Sequence, residues 1–372
     1  MLATTRKANF NAGPAAMPES VLLSMRDDLL NYQNSGLSVL EMSHRSPAFA
    51  EIAATAVADV RSLLAIPKNY QVLFLQGGAT AQFGMLVQNL DHAGHIAIAN
   101  TGHWSAKAMS IAGNMTRVSE VCCLQSELKS SIPPVSDWQI PNDVSYLHVC
   151  DNETINGVTY SDALGASVAE ALSEYDIPLI ADMSSSLLSK PIDVSRYALI
   201  YASAQKNFGL AGLTMVIVRD DLLTISKARN VMPPVYSYAA MADSGSMLNT
   251  PPTYAWYVAG LVFQWLKARG GLAGMQQANQ EQAQRIYRCI DSHDIYTNGV
   301  EAENRSIMNV PFQLPDKPMT AAFLDAAVAA DLIGLKGHKS VGGVRASVYN
   351  ATPDDAVDSL VEFMDHFARQ SA

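Results

Sequence analysis

The stretch YALIYASAQKNFG, residues 197–209, runs from an unbroken apolar segment into a single lysine. An apolar run of this length is typical of a strand buried on both faces of a parallel sheet. Lys206 follows at the carboxyl end of that strand, where we expect the surrounding chain to shield it from water. Burial disfavours the charged form of a lysine and lowers its pKa, so Lys206 is a candidate nucleophile.

A second apolar strand, at residues 177–182, ends in an acidic side chain, Asp182. Ligands of open parallel sheets bind at the carboxyl ends of the strands, so we expect Asp182 and Lys206 to face one cleft. A lysine and an aspartate placed in this way are what a pyridoxal phosphate (PLP) site requires. The lysine forms a Schiff base with the cofactor, and the aspartate holds the proton of the pyridine nitrogen.

The composition limits the partners and the compartment of the protein. A chain of 372 residues, 49% hydrophobic and 16% charged, is long enough for two domains around a sizeable core. Its net charge of −10 argues against a nucleic-acid partner. We predict no signal peptide and no membrane span. We expect free thiols, no metal and a reducing, cytoplasmic location, because no common disulfide or zinc pattern fits the cysteines, Cys122, Cys123, Cys150 and Cys289.

Strand-like and helix-like stretches alternate through the first two-thirds of the chain, which predicts an α/β fold with a mostly parallel sheet. The run at 213–218 follows a glycine-rich link too short for a helical crossover, so we expect that strand to be antiparallel. The other strands are predicted at 71–75, 95–99, 145–150, 177–182 and near 197–203.

The last hundred residues have a different pattern, which predicts a smaller α+β domain. One helix is expected over 261–289 and a C-terminal helix after Pro353. Strands at 308–314 and 342–349 flank a further helix over 320–331.

Three further groups follow predicted strands and are candidates for the same cleft. The turn Gly77-Gly78-Ala79-Thr80 ends a strand and opens a helix, whose backbone N–H groups and dipole suit a phosphate. Trp104 can stack on a cofactor ring, and Thr154 can donate to the phenolic oxygen of PLP. Taken alone, each has a plainer interpretation: a tight turn, a core tryptophan, a helix cap. Asp182 could likewise cap the serines after it, and Lys206 could lie on the surface. Their joint occurrence at strand ends favours the PLP site.

Two cationic segments stand out in this acidic chain and favour an anionic substrate. One contains His44 and Arg45, and the other contains His338, Lys339 and Arg345. An arginine binds a carboxylate through two parallel hydrogen bonds, so Arg345 or Arg45 is a natural carboxylate anchor. The alternative is a solvated basic loop, which fits Arg345 less well because it lies within a strand pattern.

The chain resembles the phosphoserine aminotransferases, fold-type I PLP enzymes of the class V group, over nearly its whole length. The residues that carry the resemblance are 9–14 (NFNAGP), 41–45 (EMSHR), 152–157 (NETING), 189–195 (SKPIDVS), 204–207 (AQKN), 249–253 (NTPPT) and 342–347 (GGVRAS).

The resemblance implies the fold and the domain organisation. It implies the PLP-transferase fold of type I, with a large, mostly parallel seven-stranded sheet domain and a smaller α+β C-terminal domain. We place the large domain at 16–262 and the small domain at 263–372, joined by the N-terminal segment 1–15.

The resemblance also implies a role for each cofactor-binding residue. Lys206 would bond the cofactor and move the proton, Asp182 would pair with the pyridine nitrogen, and Trp104 would stack on the ring. Thr154 and Gln205 would hold the cofactor on the sides of its ring oxygen and its phosphate.

The phosphate and the substrate have their own implied residues. The backbone at Ala79 and Thr80 would bind the cofactor phosphate. Asn249 and Thr250 resemble residues that reach the phosphate of the neighbouring subunit's cofactor, which implies a homodimer with shared sites. The implied substrate residues are Ala12, His44, Arg45, His338, Lys339 and Arg345, with Arg345 on the α-carboxylate. Some members of the family carry arginine in place of Thr80, and many carry it in place of Lys339.

The implied reaction exchanges an amino group between O-phospho-L-serine and 2-oxoglutarate, giving 3-phosphohydroxypyruvate and L-glutamate in serine biosynthesis. A parallel reaction on 4-phosphohydroxy-L-threonine, in pyridoxine biosynthesis, is also implied. The alternative is another class V enzyme, such as alanine–glyoxylate aminotransferase. A cysteine desulfurase would need a mobile nucleophilic cysteine, and neither Cys150 nor Cys289 fits that role. A non-catalytic nucleotide-binding sheet protein would carry a Rossmann or Walker loop, which the sequence lacks.

Overall fold

The computed structural model describes residues 6–124, 130–229 and 231–371. Its helices are α1 (Glu19–Asp28), α2 (Pro47–Leu63), α3 (Gly78–Leu90), α4 (His103–Ala112), α5 (Asp162–Ser173), α6 (Ala204–Asn207), α7 (Asp220–Arg229), α8 (Tyr238–Asp243), α9 (Thr253–Ala268), α10 (Gly271–Asp291), α11 (Lys317–Ala329) and α12 (Asp354–Ser371). Its strands are β1 (Ala8–Asn9), β2 (Tyr70–Gln76), β3 (His95–Asn100), β4 (Arg117–Cys123), β5 (Leu147–Cys150), β6 (Asn152–Glu153), β7 (Val158–Thr159), β8 (Leu179–Asp182), β9 (Leu199–Ser203), β10 (Leu213–Arg219), β11 (Asn309–Phe312), β12 (Leu332–Ile333) and β13 (Val344–Ser347).

Within the described residues, the central sheet has seven strands in the order β2-β10-β9-β8-β5-β3-β4. Strand β10 is antiparallel to both of its neighbours, and the remaining pairs are parallel. The predicted mostly parallel sheet and its one antiparallel strand are therefore confirmed. The carboxyl ends of β3, β5, β8 and β9 lie along one edge, which is the edge that ligands use in sheets of this kind.

The sheet is buried on both faces, which explains why its strands are apolar without alternation. In β2, Val72 and Phe74 belong to one hydrophobic core, and Leu73 and Leu75 belong to another. Helices α2 and α9 supply much of the first core, and α3, α4 and α8 cover the opposite face. A sheet fixed between two cores holds its strand ends in one arrangement.

A third core lies among α10, α11, α12 and the strand pair β11–β13. Phe10 packs in this core, and β1 pairs with β12, so the N-terminal segment joins the smaller unit. The predicted boundary after residue 262 falls inside α9, whose Phe263 and Leu266 pack in the core of the large unit. We propose that α10 spans the division, because its first turns contact the large core and its later ones the small core.

Two features differ from the sequence-based expectations. The single helix predicted over 261–289 is wrong, because Gly270 adopts φ 88°, in the left-handed region, and separates α9 from α10. Strand β4 was not predicted, because it lies at the sheet edge, and its residues 117–120 are polar or partly exposed. A polar edge strand lacks the apolar run on which the prediction of the other strands depends.

The cysteines are free thiols, as expected. Across the residues that the model describes, no helix combines the length and the apolarity needed to cross a membrane.

The close approach of the two units at Gly157 yields a testable prediction. Gly157 has φ +69°, and a Cβ there would lie 2.9 Å from Asn309 O and closer still to the Pro311 ring. We expect Gly157→Ala to lower the free energy of unfolding by ~3 kcal/mol, from left-handed strain plus overpacking. Gly94→Ala is the matched control, since Gly94 has φ +70° with nothing within 4 Å of its Cβ position. It should cost only ~1 kcal/mol. If urea unfolding shows the same loss of stability in Gly157→Ala and Gly94→Ala, the close contact of Gly157 with Asn309 and Pro311 is contradicted.

Candidate active site

A cavity of about 480 Å³ opens at the carboxyl ends of the central strands. It collects residues from β5, β8 and β9, from the amino ends of α3 and α4, and from the smaller unit. Its lining residues are Ala12, Gly13, Gly77, Gly78, Ala79, Thr80, Trp104, Cys150, Asn152, Thr154, Ile155, Asp182, Ser184, Ser185, Ser203, Gln205, Lys206, His338 and Arg345. Every predicted strand-end residue is therefore present in one cavity.

Lys206 is one of the residues that line this cavity. Lys206 sits in the short helix α6, directly after β9, and its Nζ donates to Thr154 Oγ1 at 2.6 Å. Burial lowers the pKa of the Lys206 amine below its ordinary 10.5, and the carboxylate of Asp182 opposes that shift. The structure thus gives the lysine the depressed pKa that its position in the sequence predicted.

Asp182 ends β8 and is buried. Its Oδ1 accepts the backbone N–H of Ser184 at 2.9 Å, so the predicted cap of the serine segment also occurs. Burial raises the pKa of the Asp182 carboxyl, while Lys206 and Ser184 oppose the rise. A buried carboxylate facing a cavity can bind a proton carried by a ligand more strongly than an exposed one, because water does not compete.

Trp104 lies beside Lys206, with the lysine Nζ 5.4 Å from the ring centroid. Residues 103 and 104 form the first turn of α4. The indole Nε1 is buried and finds no hydrogen-bond partner among the described residues. The first turn of α4 therefore determines the position of the Trp104 ring.

The turn between β2 and α3 has the form expected of a phosphate site. Gly77 and Gly78 have φ of 100° and 67°, and α3 begins at Gly78. The Ala79 backbone N–H points to Ser203 Oγ at 2.6 Å, from the end of β9. Thr80 is exposed in the same first turn. Backbone N–H groups at a helix start, with hydroxyls beside them, are well suited to an anion.

The opposite end of the cavity is cationic. Arg345, on β13, is partly buried, and its Nε is buried without a hydrogen-bond partner in the part of the chain described. Burial lowers the pKa of Arg345. The rings of His338 and His103 lie 5.1 Å apart, and burial, His103 and Arg345 lower the pKa of His338. A buried guanidinium nitrogen without an acceptor is costly, which favours binding of an anion here.

Several predicted residues lie outside this cavity. His44 and Arg45 contact each other at 3.4 Å, between Arg45 Nε and His44 Nε2, in a partly exposed turn before α2. Asn249 and Thr250 are exposed. They lie near the end of β2, where Gln76 Nε2 donates to Thr250 O at 3.4 Å. Lys339 is exposed beside His338. One chain by itself does not bring these residues to Lys206.

The cavity also contains polar residues that the sequence did not single out as site residues. Asn152 Nδ2 donates to Ser185 Oγ at 2.8 Å, and Thr154 Oγ1 contacts the same oxygen at 3.0 Å. Ser203 ends β9 beneath the phosphate turn. The serines at 184–186 had been interpreted only as a segment that Asp182 could cap. Their position directly after a buried strand was a usable signal.

Comparison with known proteins gives a consistent result. The family model described as "Aminotransferase class-V" matches residues 8–360. The phosphoserine aminotransferase of Acidithiobacillus ferrooxidans is 50% identical over 366 residues, covering 97% of this chain and 98% of its own length. The enzyme of the same name from Acinetobacter baylyi is 46% identical over 372 residues, covering 98% of this chain and 99% of its own.

A solved structure extends the similarity to three dimensions. The phosphoserine aminotransferase from Bacillus circulans subsp. alkalophilus superposes with a TM-score of 0.92 at 38% identity, covering 99% of this chain and 100% of the other. The predicted fold type is therefore confirmed. Since the family, the relatives and the fold agree over almost the whole chain, the protein belongs to the PLP-dependent class V aminotransferases, among the phosphoserine aminotransferases.

Proposed function

We propose that this chain catalyses the reversible transfer of an amino group from O-phospho-L-serine to 2-oxoglutarate, giving 3-phosphohydroxypyruvate and L-glutamate. The observation that carries the proposal is a desolvated lysine in the same cavity as a buried arginine nitrogen that has no hydrogen-bond partner among the described residues. The lysine suits proton transfer at an amino-acid Cα, and the arginine suits the carboxylate of that amino acid.

The residues of the cavity fit PLP. The start of α3 offers backbone N–H groups to a phosphate, and Asp182 offers a carboxylate to a pyridinium nitrogen. The Trp104 ring forms a wall between them, with a buried Nε1 that has no acceptor in the described chain. Thr154 Oγ1 and Gln205 lie beside Lys206. We propose that these residues, with Ala79 and Thr80, hold the cofactor.

Bound at Lys206, PLP would supply an electron sink for negative charge at the substrate Cα. Once the substrate's amino group has taken its place on the cofactor, the freed Lys206 amine would take the Cα proton from the substrate and return it during the exchange. Its depressed pKa keeps a fraction of the amine neutral and able to accept that proton. Asp182 holds the proton on the pyridine nitrogen, and Thr154 Oγ1 keeps the amine in place from 2.6 Å.

Substrate recognition rests on the cationic end of the cavity. Arg345 binds the α-carboxylate that both amino donors share, and Ala12 lies on the same side of the cavity. His338 and Lys339 face the second anionic group, the phosphate of phosphoserine or the distal carboxylate of glutamate. Lys339 supplies a point charge instead of the planar fork of an arginine, which weakens bidentate binding of the phosphate.

We further propose a homodimer in which each subunit completes the other's site. The support is that His44, Arg45, Asn249 and Thr250 are among the expected residues that do not line the cavity of their own chain. Three apolar side chains that precede His44 and Arg45 in the sequence are exposed. They are Leu30 (84%), Leu37 (54%) and Leu40 (53%). A surface with this apolar content suits contact with a second copy.

Other functions fit less well or remain further proposals. A desulfurase requires a reactive thiolate, but burial raises the pKa of the Cys150 thiol well above its ordinary value. An alanine–glyoxylate aminotransferase would not need His338 and Lys339 beside the substrate. A parallel reaction on 4-phosphohydroxy-L-threonine would use the same carboxylate and phosphate contacts. The cytoplasmic location stays a prediction.

The Lys206→Ala variant tests the proposed catalytic lysine. We expect it to lose the visible absorbance of covalently bound PLP and to lose turnover by at least about 10³-fold, because no other group in the cavity can both bond PLP and move the Cα proton. Absorbance spectra and a phosphoserine–2-oxoglutarate assay measure the two effects.

The control is Lys227→Ala, which removes an exposed lysine paired with Asp243 and should leave both signals unchanged. Full activity in Lys206→Ala would refute the assignment of the lysine. Wild-type turnover with alanine and glyoxylate but not with phosphoserine would refute the proposed substrate while leaving the lysine's role intact.

Subunit complementation tests the shared sites. Lys206→Ala homodimers should be inactive, and Arg45→Ala homodimers should be weak with phosphoserine. In a mixed dimer, the Lys206 of one chain would meet the intact Arg45 of the partner subunit, so one fully assembled site forms. Mixing the two variants should therefore restore up to about half of the wild-type activity per dimer.

Subunit exchange must be confirmed by differently tagged chains purified as the mixed dimer. If the mixed dimer is no more active than the Arg45→Ala homodimer, Arg45 does not act across the interface.

A further inference from the structure

We propose that Glu153 is a positioning residue for Trp104, fixing the indole over the Lys206 amine by holding the first turn of α4. The inference rests on the proposed role of Trp104 as the wall against which PLP stacks. Glu153 itself does not line the cavity, and its action would pass through α4.

The side chain of Glu153 is fully buried and bonds the amino end of α4 through both carboxylate oxygens. Oε2 accepts the backbone N–H of Trp104 at 2.8 Å. Oε1 accepts the backbone N–H of Ser105 at 2.8 Å and the Ser105 hydroxyl at 2.6 Å. Asn156 Oδ1 accepts the remaining N–H of that turn, from His103, at 3.0 Å. The first N–H groups of a helix have no acceptor within the helix itself. In α4, side chains from another part of the chain accept these hydrogen bonds.

Electrostatics strengthens the attachment. The amino end of a helix carries a partial positive charge, and a buried carboxylate with several N–H and O–H donors is held more strongly than a neutral cap. Burial raises the pKa of the Glu153 carboxyl, while the bonds from Ser105 and Trp104 oppose that rise and favour the carboxylate. The attachment therefore depends on the group remaining an acceptor.

The fit is also tight. A Cβ on Gly102 would lie 2.7 Å from the Cγ and Cδ of Glu153 and 2.8 Å from Asn156 Oδ1. The backbone of the helix start thus lies directly against the carboxylate, with no space for a side chain between them. A displacement of Glu153 would therefore move the backbone of the helix start, and Trp104 with it.

Glu153 is also adjacent in sequence to the residue that holds Lys206. Thr154 Oγ1 contacts Lys206 Nζ at 2.6 Å, and that nitrogen lies 5.4 Å from the centroid of the Trp104 ring. Two successive residues of one segment therefore set the positions of the lysine and of the indole. This arrangement fixes the distance between them.

A double-mutant cycle with Glu153→Gln and Trp104→Ala tests the proposal. Glutamine keeps the shape of glutamate but presents one NH₂ group, so at least one backbone N–H of the turn loses its acceptor. The readouts are the dissociation constant of PLP from the apoenzyme, the near-ultraviolet circular dichroism of the bound cofactor, kcat, and urea unfolding.

We expect Glu153→Gln to weaken PLP binding and lower kcat by about tenfold in the wild-type background. The circular dichroism of the cofactor should change with them, because the ring contact changes. In the Trp104→Ala background the same substitution should change PLP binding and kcat by less than about twofold, because the ring that Glu153 positions is gone. Its effect on urea unfolding should persist in both backgrounds.

The control is Glu120→Gln, an exposed glutamate on β4 whose Oε1 accepts from Asn100 at 2.7 Å, and it should change none of the cofactor readouts. If Glu153→Gln does not fold, Asn156→Ala removes the acceptor for His103 N–H and enters the same cycle.

Equal effects of Glu153→Gln in both backgrounds, or an effect on urea unfolding alone, would overturn the positioning role. A Trp104→Ala variant with unchanged PLP binding would overturn the role of Trp104 and this inference together. Absence of phosphoserine turnover in the wild type is a separate result, since it would refute the proposed substrate and leave the PLP-binding cycle interpretable.

Discussion

The desolvation of the Lys206 amine, in a partly buried residue directly after the carboxyl end of β9, is the constraint on which the site depends. Burial lowers the pKa of the amine, Asp182 limits that shift, and Thr154 Oγ1 fixes the nitrogen at 2.6 Å. Two hydrophobic cores clamp the sheet from opposite faces, so the strand ends that carry these groups cannot move independently. The chemistry of the site depends on that rigid, desolvated edge.

The polar groups of the cavity divide between its two ends. The turn at Gly77 and Gly78 offers N–H groups to a phosphate, whereas Arg345 and His338 bring positive charge from the smaller unit. An amino-acid substrate with a second anionic group can bridge from Lys206 to that cationic end. The net charge of −10 makes this local reversal of sign more selective, because anions meet few competing cationic surfaces.

The sequence predicted those parts of the fold and site that depend on local signals. Asp182 and Lys206 each end an apolar run, so their place at the sheet edge followed from the run itself. Glu153 was missed because its partners lie about 50 residues away, and only tertiary structure brings α4 to it. Asn249 and Thr250 were assigned to the site by resemblance alone, and neither lines the cavity of its own chain. The break at Gly270 was missed because helical periodicity continues on both sides of it.

The most direct test of this account is the pKa of the Lys206 amine in the apoenzyme, measured by an NMR titration of isotopically labelled lysine side chains and assigned with Lys206→Ala. We predict a pKa below the ordinary 10.5, and a still lower pKa in Asp182→Asn, because the aspartate stabilises the charged amine. A Lys206 pKa at or above 10.5, or one that does not fall when Asp182 is replaced, would contradict the desolvated lysine on which the proposed chemistry depends.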